Sequence, residues 1–68
     1  MNKVQSVLIP TNAFTLPQAI RWLIVHKYKV TKVDITDNYY RFRQLEPNHK
    51  KKYYSLVLPN NIILINYE

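Results

Sequence analysis

Not one of the 68 residues is glycine. Glycine enters left-handed backbone without steric cost, so a chain that lacks it must turn with asparagine, aspartate and proline. The turns are therefore easy to find. Asp37-Asn38 and Asn60-Asn61 each separate two runs rich in β-branched and aromatic residues. Each is expected to be a two-residue hairpin turn.

Counting outward from Asp37-Asn38 sets the first register. Thr36 faces Tyr39, Ile35 faces Tyr40, Asp34 faces Arg41, Val33 faces Phe42 and Lys32 faces Arg43. Apolar pairs fall on one face and charged pairs on the other, as a correct register requires. Around Asn60-Asn61 the same count pairs Leu58 with Ile63, Leu56 with Ile65 and Tyr54 with Tyr67. Val57/Leu64, Ser55/Asn66 and Tyr53/Glu68 then share the opposite face.

Upstream, the run "SVLI" (6–9) closed by Pro10 reads as a first strand or an extended edge segment. A helix follows. Thr15 is its expected N-cap, with Gln18 three residues on completing a capping box. Pro17 sits in the first turn, and Phe14 and Ala19 hold the staple positions. The helix is expected to end near His26 or Lys27, where Lys27 and Lys29 suit its dipole. Leu16, Ala19, Leu23 and His26 share one side, with Trp22 at its margin; Ile20 and Ile24 adjoin, and Val25 lies further round. One sheet covers only part of such a circumference, so a second contact is expected on the rest. The expected fold class is α+β: one antiparallel four- to five-stranded sheet packed on a single helix, roughly β-α-β-β-β-β. The two hairpins are expected to join as a meander, and residues 1–68 to form a single domain.

Composition narrows the function. A core of this size is marginal, and there is no cysteine to staple it or to hold zinc through thiolates. The lack of cysteine fits a reducing, intracellular compartment. Ten Lys/Arg against four acids give a net charge of +6, which favours a polyanionic partner. No run is long enough for a signal peptide or a membrane span, so no membrane association is expected.

The segments "SVLIP", "FTLPQAIRWLIVHKYKVTKVDITDNYYRFRQLEP" and "LPNNIILI" resemble a small domain of giant DNA viruses and tailed phages. The matching positions are Ile9, Pro10, Ala19, Trp22, Leu23, His26, Tyr40 to Gln44, Pro47, Leu58, Pro59 and Asn60, and "YRFRQ" is the most specific piece. The resemblance implies a viral origin, in an infected cell or a virion, more than a function. This chain departs from the family pattern in carrying Lys27 after the helical His and Asn61 after the turn Asn, where that pattern has glycine. It also has Ile20 and Ile24 where the pattern tends to be polar. With Trp22 and Val25 these two isoleucines form an expected self-association patch, so a homo-oligomer is expected.

Catalysis is not expected. His26 and His49 are the only histidines, one at a helix end and one in a polar loop, which leaves no convergent metal site. Asp34 has Arg41 across the strand and Asp37 forms a turn, so nothing separates their pKa values for acid–base work. No cofactor and no small-molecule substrate are implied.

The charged sheet face carries the functional expectation. Lys32 opposite Arg43 places like charges together, an arrangement easier to understand with an anion between them. Tyr39 and Tyr53 share that side and are suited to stack on bases, while Lys50, Lys51 and Lys52 border it. The expected function is therefore nucleic-acid binding, DNA or RNA, mostly independent of sequence, through Lys32, Tyr39, Arg41, Arg43, Lys50, Lys51, Lys52 and Tyr53. The alternative is an oligomerisation or docking unit of a viral assembly or host-interaction protein, with Ile20, Trp22, Ile24, Val57 and Leu64 as contacts.

Overall fold

The computed structural model describes residues 3–46 and 52–67. Its elements are β1 (Lys3–Pro10), α1 (Leu16–Val25), β2 (Val33–Ile35), β3 (Tyr39–Arg43), β4 (Tyr53–Val57) and β5 (Ile63–Tyr67). They form one five-stranded sheet and one helix, the α+β arrangement expected. No described helix is long and apolar enough to cross a membrane.

The helix begins as its sequence dictates. Gln18 N donates to Thr15 Oγ1 at 3.3 Å, and Thr15 N donates to Gln18 Oε1 at 2.9 Å. This closes the capping box and satisfies two backbone donors that the first turn leaves unpaired. The far end is a Schellman turn: Lys27 N donates to Ile24 O at 3.1 Å and Tyr28 N to Leu23 O at 2.8 Å. That geometry puts Lys27 at φ 64°, in left-handed space normally held by glycine.

The first hairpin has the expected register, with Val33 opposite Phe42, Asp34 opposite Arg41 and Ile35 opposite Tyr40. Its turn is not a primed one, because neither Asp37 nor Asn38 has positive φ. Thr36 closes it instead: Thr36 N and Oγ1 both donate to Tyr39 O at 2.9 Å, and Tyr39 N donates to Thr36 Oγ1 at 3.0 Å.

The second hairpin corrects the expectation by one residue. Val57 pairs with Ile63, Leu56 with Leu64, Ser55 with Ile65, Tyr54 with Asn66 and Tyr53 with Tyr67. The loop holds three residues, Pro59 to Asn61, because Leu58 N donates to Ile62 O at 2.8 Å and Asn61 N to Leu58 O at 2.9 Å. Proline opens the turn, and Asn61, at φ 68°, supplies the left-handed residue that a three-residue hairpin needs. A one-residue slip exchanges the faces of a strand. Leu64 and Asn66 therefore turn toward the helix layer, and Ile63, Ile65 and Tyr67 turn away.

The strand order is β2-β3-β1-β5-β4. The hairpins do not join as a meander; β1 lies between them, antiparallel to both β3 and β5. Its composition explains the central position, since past Lys3 it carries no charge and residues 5–7, 9 and 10 are buried. A register shift between Val4 and Ser6 marks a bulge at Gln5. Gln5 O accepts from Gln44 N at 2.7 Å and from Leu45 N at 3.2 Å, and Gln5 Nε2 donates to Leu45 O at 2.9 Å. Because β1 and β2 each run antiparallel to β3, they run parallel to one another, and β1-α1-β2 is a crossover with β3 inserted between its strands.

The core is Val7, Ile9, Ala19, Leu23, Phe42 and Ile62, all fully buried. Val7 lies beside Phe42 on one flank and Leu64 on the other, and Ala19 and Leu23 of the helix close over them. Phe14, Leu16, Ile20, Trp22 and Tyr28 pack around this centre. The helix thus covers the middle of one sheet face and leaves the other face without a covering element among the described residues.

Candidate nucleic-acid interface

Register fixes which side chains share the open face. One row runs Asp34, Arg41, Leu8, Ile63, Val57 across the sheet; the next runs Arg43, Ser6, Ile65, Ser55. Tyr39 lies beyond the first row opposite Pro10, and Lys3, Tyr67 and Tyr53 form a row at the far end. The face is divided: charge gathers on β2 and β3, and aliphatic side chains on β1, β5 and β4. Phe42 and Tyr40 point the other way, into or against the core. The expected separation of Arg41 and Arg43 from Tyr40 and Phe42 is present.

The charges pair differently from expectation. Arg43, not Arg41, reaches Asp34, with Nη2 3.8 Å from Oδ2. Lys32 donates to Glu46 Oε1 at 3.1 Å. The like charges of Lys32 and Arg43 are thus each offset by an acid of this chain. The Lys32 ammonium holds the Glu46 carboxyl below its ordinary value, by hydrogen bond first and by charge second. Arg41 is exposed and makes no ion pair among the described residues; its Nε approaches Ser6 Oγ at 3.5 Å. Ser6 is wholly buried although it points to this face, and its hydroxyl donates to Gln5 Oε1 at 2.5 Å. Arg43 Nε is buried without a hydrogen-bond partner.

Lys29, Thr31, Lys32, Arg43, Gln44, Leu45 and Glu46 line a shallow cavity of about 260 Å³ where this corner meets the loop after the helix. Gln44 builds its wall. Its Nε2 donates to Lys29 O at 2.9 Å and its Oε1 accepts from Lys29 N at 2.7 Å. The side-chain amide mimics a strand partner and ties the loop to the end of β3. The last residue of "YRFRQ" thus has a structural task that sequence reasoning left unassigned; a glutamine ending a strand was its only signal.

The expected aromatic platforms lie apart. Tyr39 sits at the β2/β3 corner and Tyr53 at the opposite corner, three strand spacings or about 14 Å across the sheet. Tyr53 is instead neighbour to Tyr67, with ring centroids 5.5 Å apart and planes tilted by 51°. Sequence reasoning missed Tyr67 and Lys3 on this face because the slipped register hid the first and β1 was not placed. Lys52 is exposed just before β4, whereas Lys50 and Lys51 lie outside the described residues.

On the helix, the four expected self-association residues divide. Ile20 and Trp22 pack against the core, whereas Ile24 and Val25 are 60% and 68% exposed. Trp22 stacks on His26, centroids 3.9 Å apart, and lies parallel to Tyr28 at 6.0 Å. His26 Nδ1 hydrogen-bonds Trp22 O at 2.8 Å, a structural use of the ring. Leu64, an expected docking contact on the open face, packs toward the core instead, and Ile63 and Ile65 occupy the open face.

Neither a protein-family model nor any curated protein or solved structure matches this chain. The functional reading therefore rests on the geometry above.

Proposed function

We propose that this chain is a small non-catalytic module of viral origin, acting inside an infected cell or in a virion, that binds nucleic acid through the open face of its sheet. The observation that carries the reading is the projection of Tyr39, Arg41 and Arg43 side by side from β3, on the face the helix does not cover, with Arg41 making no ion pair among the described residues. In a chain of net charge +6, that arrangement suits a phosphate backbone laid along β3. Lys32, Lys52 and the lysines at 50 and 51 add attraction, and Lys3, Tyr53 and Tyr67 extend the path to the far corner. Contacts of this kind recognise phosphates and base faces, not base edges, so binding is expected to be largely independent of sequence.

Fluorescence anisotropy with a labelled mixed-sequence single strand, repeated over a salt series, tests this. Binding should weaken steeply with salt, and Arg41→Gln and Arg43→Gln should each lower the log–log slope by about 1. No binding to single- or double-stranded DNA or RNA at low salt would end the proposal.

A second reading has its own observation. Ile24 and Val25 are large apolar side chains left in solvent on the outer side of the helix. A docking partner laid on that side would cover them. Ile24→Lys should then abolish assembly and leave nucleic-acid affinity unchanged.

A further inference from the structure

β4 is an edge strand of unusual character. Its sequence, Tyr53-Tyr54-Ser55-Leu56-Val57, has no charge, no proline and no bulge, and every residue is exposed. Leu56 is 51% and Val57 59% exposed, on opposite faces of the sheet. Such an edge is a template for another strand, and natural sheets ordinarily blunt it with charge, proline or irregularity. The opposite edge is blunted: β2 has only three residues, with the charged Asp34 at its centre.

The outward backbone groups follow from the hairpin. Leu58 N bonds Ile62 O, so by antiparallel alternation Leu56 and Tyr54 bond inward to β5 and the N–H and C=O of Ser55 and Val57 point outward. A two-fold axis through Ser55 then generates a matching partner. Ser55 faces Ser55 of a second copy, Leu56 faces Tyr54 and Val57 faces Tyr53. Every facing pair is apolar or aromatic except the small serines on the axis, and each lies on the same face as its counterpart. The strand is complementary to its own inverse.

Charge permits the contact. The net +6 opposes self-association, but Arg41 and Arg43 lie three strand spacings from this edge, about 14 Å, and Lys52, just before β4, faces Leu58 of the second copy, with the two Lys52 six positions or about 20 Å apart along the seam. Repulsion at that range is largely screened at physiological salt. We infer that two copies of this chain join edge to edge through β4, antiparallel about Ser55, into one continuous ten-stranded sheet. The pair is closed, because each copy spends the one unguarded sheet edge among its described residues. The inference does not depend on nucleic-acid binding and is tested without it.

The absence of cysteine makes a position-specific test available. Sedimentation equilibrium should give twice the 8.2 kDa chain mass. Ser55→Cys, oxidised with diamide, should cross-link into a covalent dimer, since facing Cα atoms in a bonded antiparallel pair stand about 5.5 Å apart, within disulfide reach. Ile35→Cys, on the other edge, should not. Val57→Lys should return the mass to that of one chain while circular dichroism stays unchanged; if that variant fails to fold, Ser55→Cys still decides. A single-chain mass at millimolar concentration, a polydisperse series of larger species, no cross-link at position 55, or a dimer lost on Ile24→Lys and kept on Val57→Lys would each overturn the inference.

Discussion

Lys27 and Asn61 are the only non-glycine residues with positive φ among those described. A side chain with a Cβ in that region costs about 1–2 kcal/mol, and asparagine pays less than lysine because it tolerates the conformation. Lys27→Gly should accordingly raise unfolding free energy by about 1 kcal/mol, read from denaturant midpoints, and Asn61→Gly by less. A loss on Lys27→Gly would mean that its side chain makes a contact worth more than the strain. Glu46 offers the contrasting case. Its carboxyl is held low by Lys32, so the contact is complete at neutral pH and is lost as pH falls through the lowered value. Acidification therefore frees Lys32. Glu46→Gln should do the same at neutral pH, tightening nucleic-acid binding severalfold and steepening its salt slope, with little change in thermal midpoint because both groups are exposed. Unchanged affinity would place Lys32 outside the interface.

At the scale of elements, what was legible in the sequence was what local chemistry decides. The capping box needs only Thr15 and Gln18 in the same turn, and the first hairpin needs only the parity of charged and apolar residues around Asp37-Asn38. The second hairpin was not legible because the chain is apolar at successive positions from Ile62 into β5 at Ile65, so its pattern fits either register. Asn60-Asn61 suits a two-residue turn on composition; the proline before it favours the longer loop found. The diagonal reach of Arg43 to Asp34 was likewise hidden, since facing positions do not decide where a long side chain ends. Thr15→Ala should cost about 1 kcal/mol through loss of the cap. Gln44→Ala removes both bonds to Lys29 and should cost about 1–2 kcal/mol, visible as faster amide exchange in the loop after the helix. Protection there equal to the native protein's would show that the glutamine does not hold the loop.

For the molecule as a whole, the described residues hold six fully buried apolar side chains, so each carries a large share of the stability. Phe42→Ala should cost about 3–5 kcal/mol, close to the entire stability of a domain of this size, and the variant should lack cooperative unfolding by circular dichroism. A cooperative transition near the native midpoint would mean that packing around Phe42 is looser than its burial indicates. The place of β1 was the least legible feature, because its partners are contributed by residues 39–43 on one side and 63–67 on the other. Gln5 and Ser6 look unsuited to a sheet centre until the bonds of the bulge are seen. That placement also governs timing. β1 closes its second flank only through residues 63–67, a pairing that spans almost the whole described sequence, so a sheet ending at β3 leaves that flank without a partner. Refolding from denaturant should accordingly take milliseconds or longer, not microseconds, and fragments ending before residue 63 should stay unstructured.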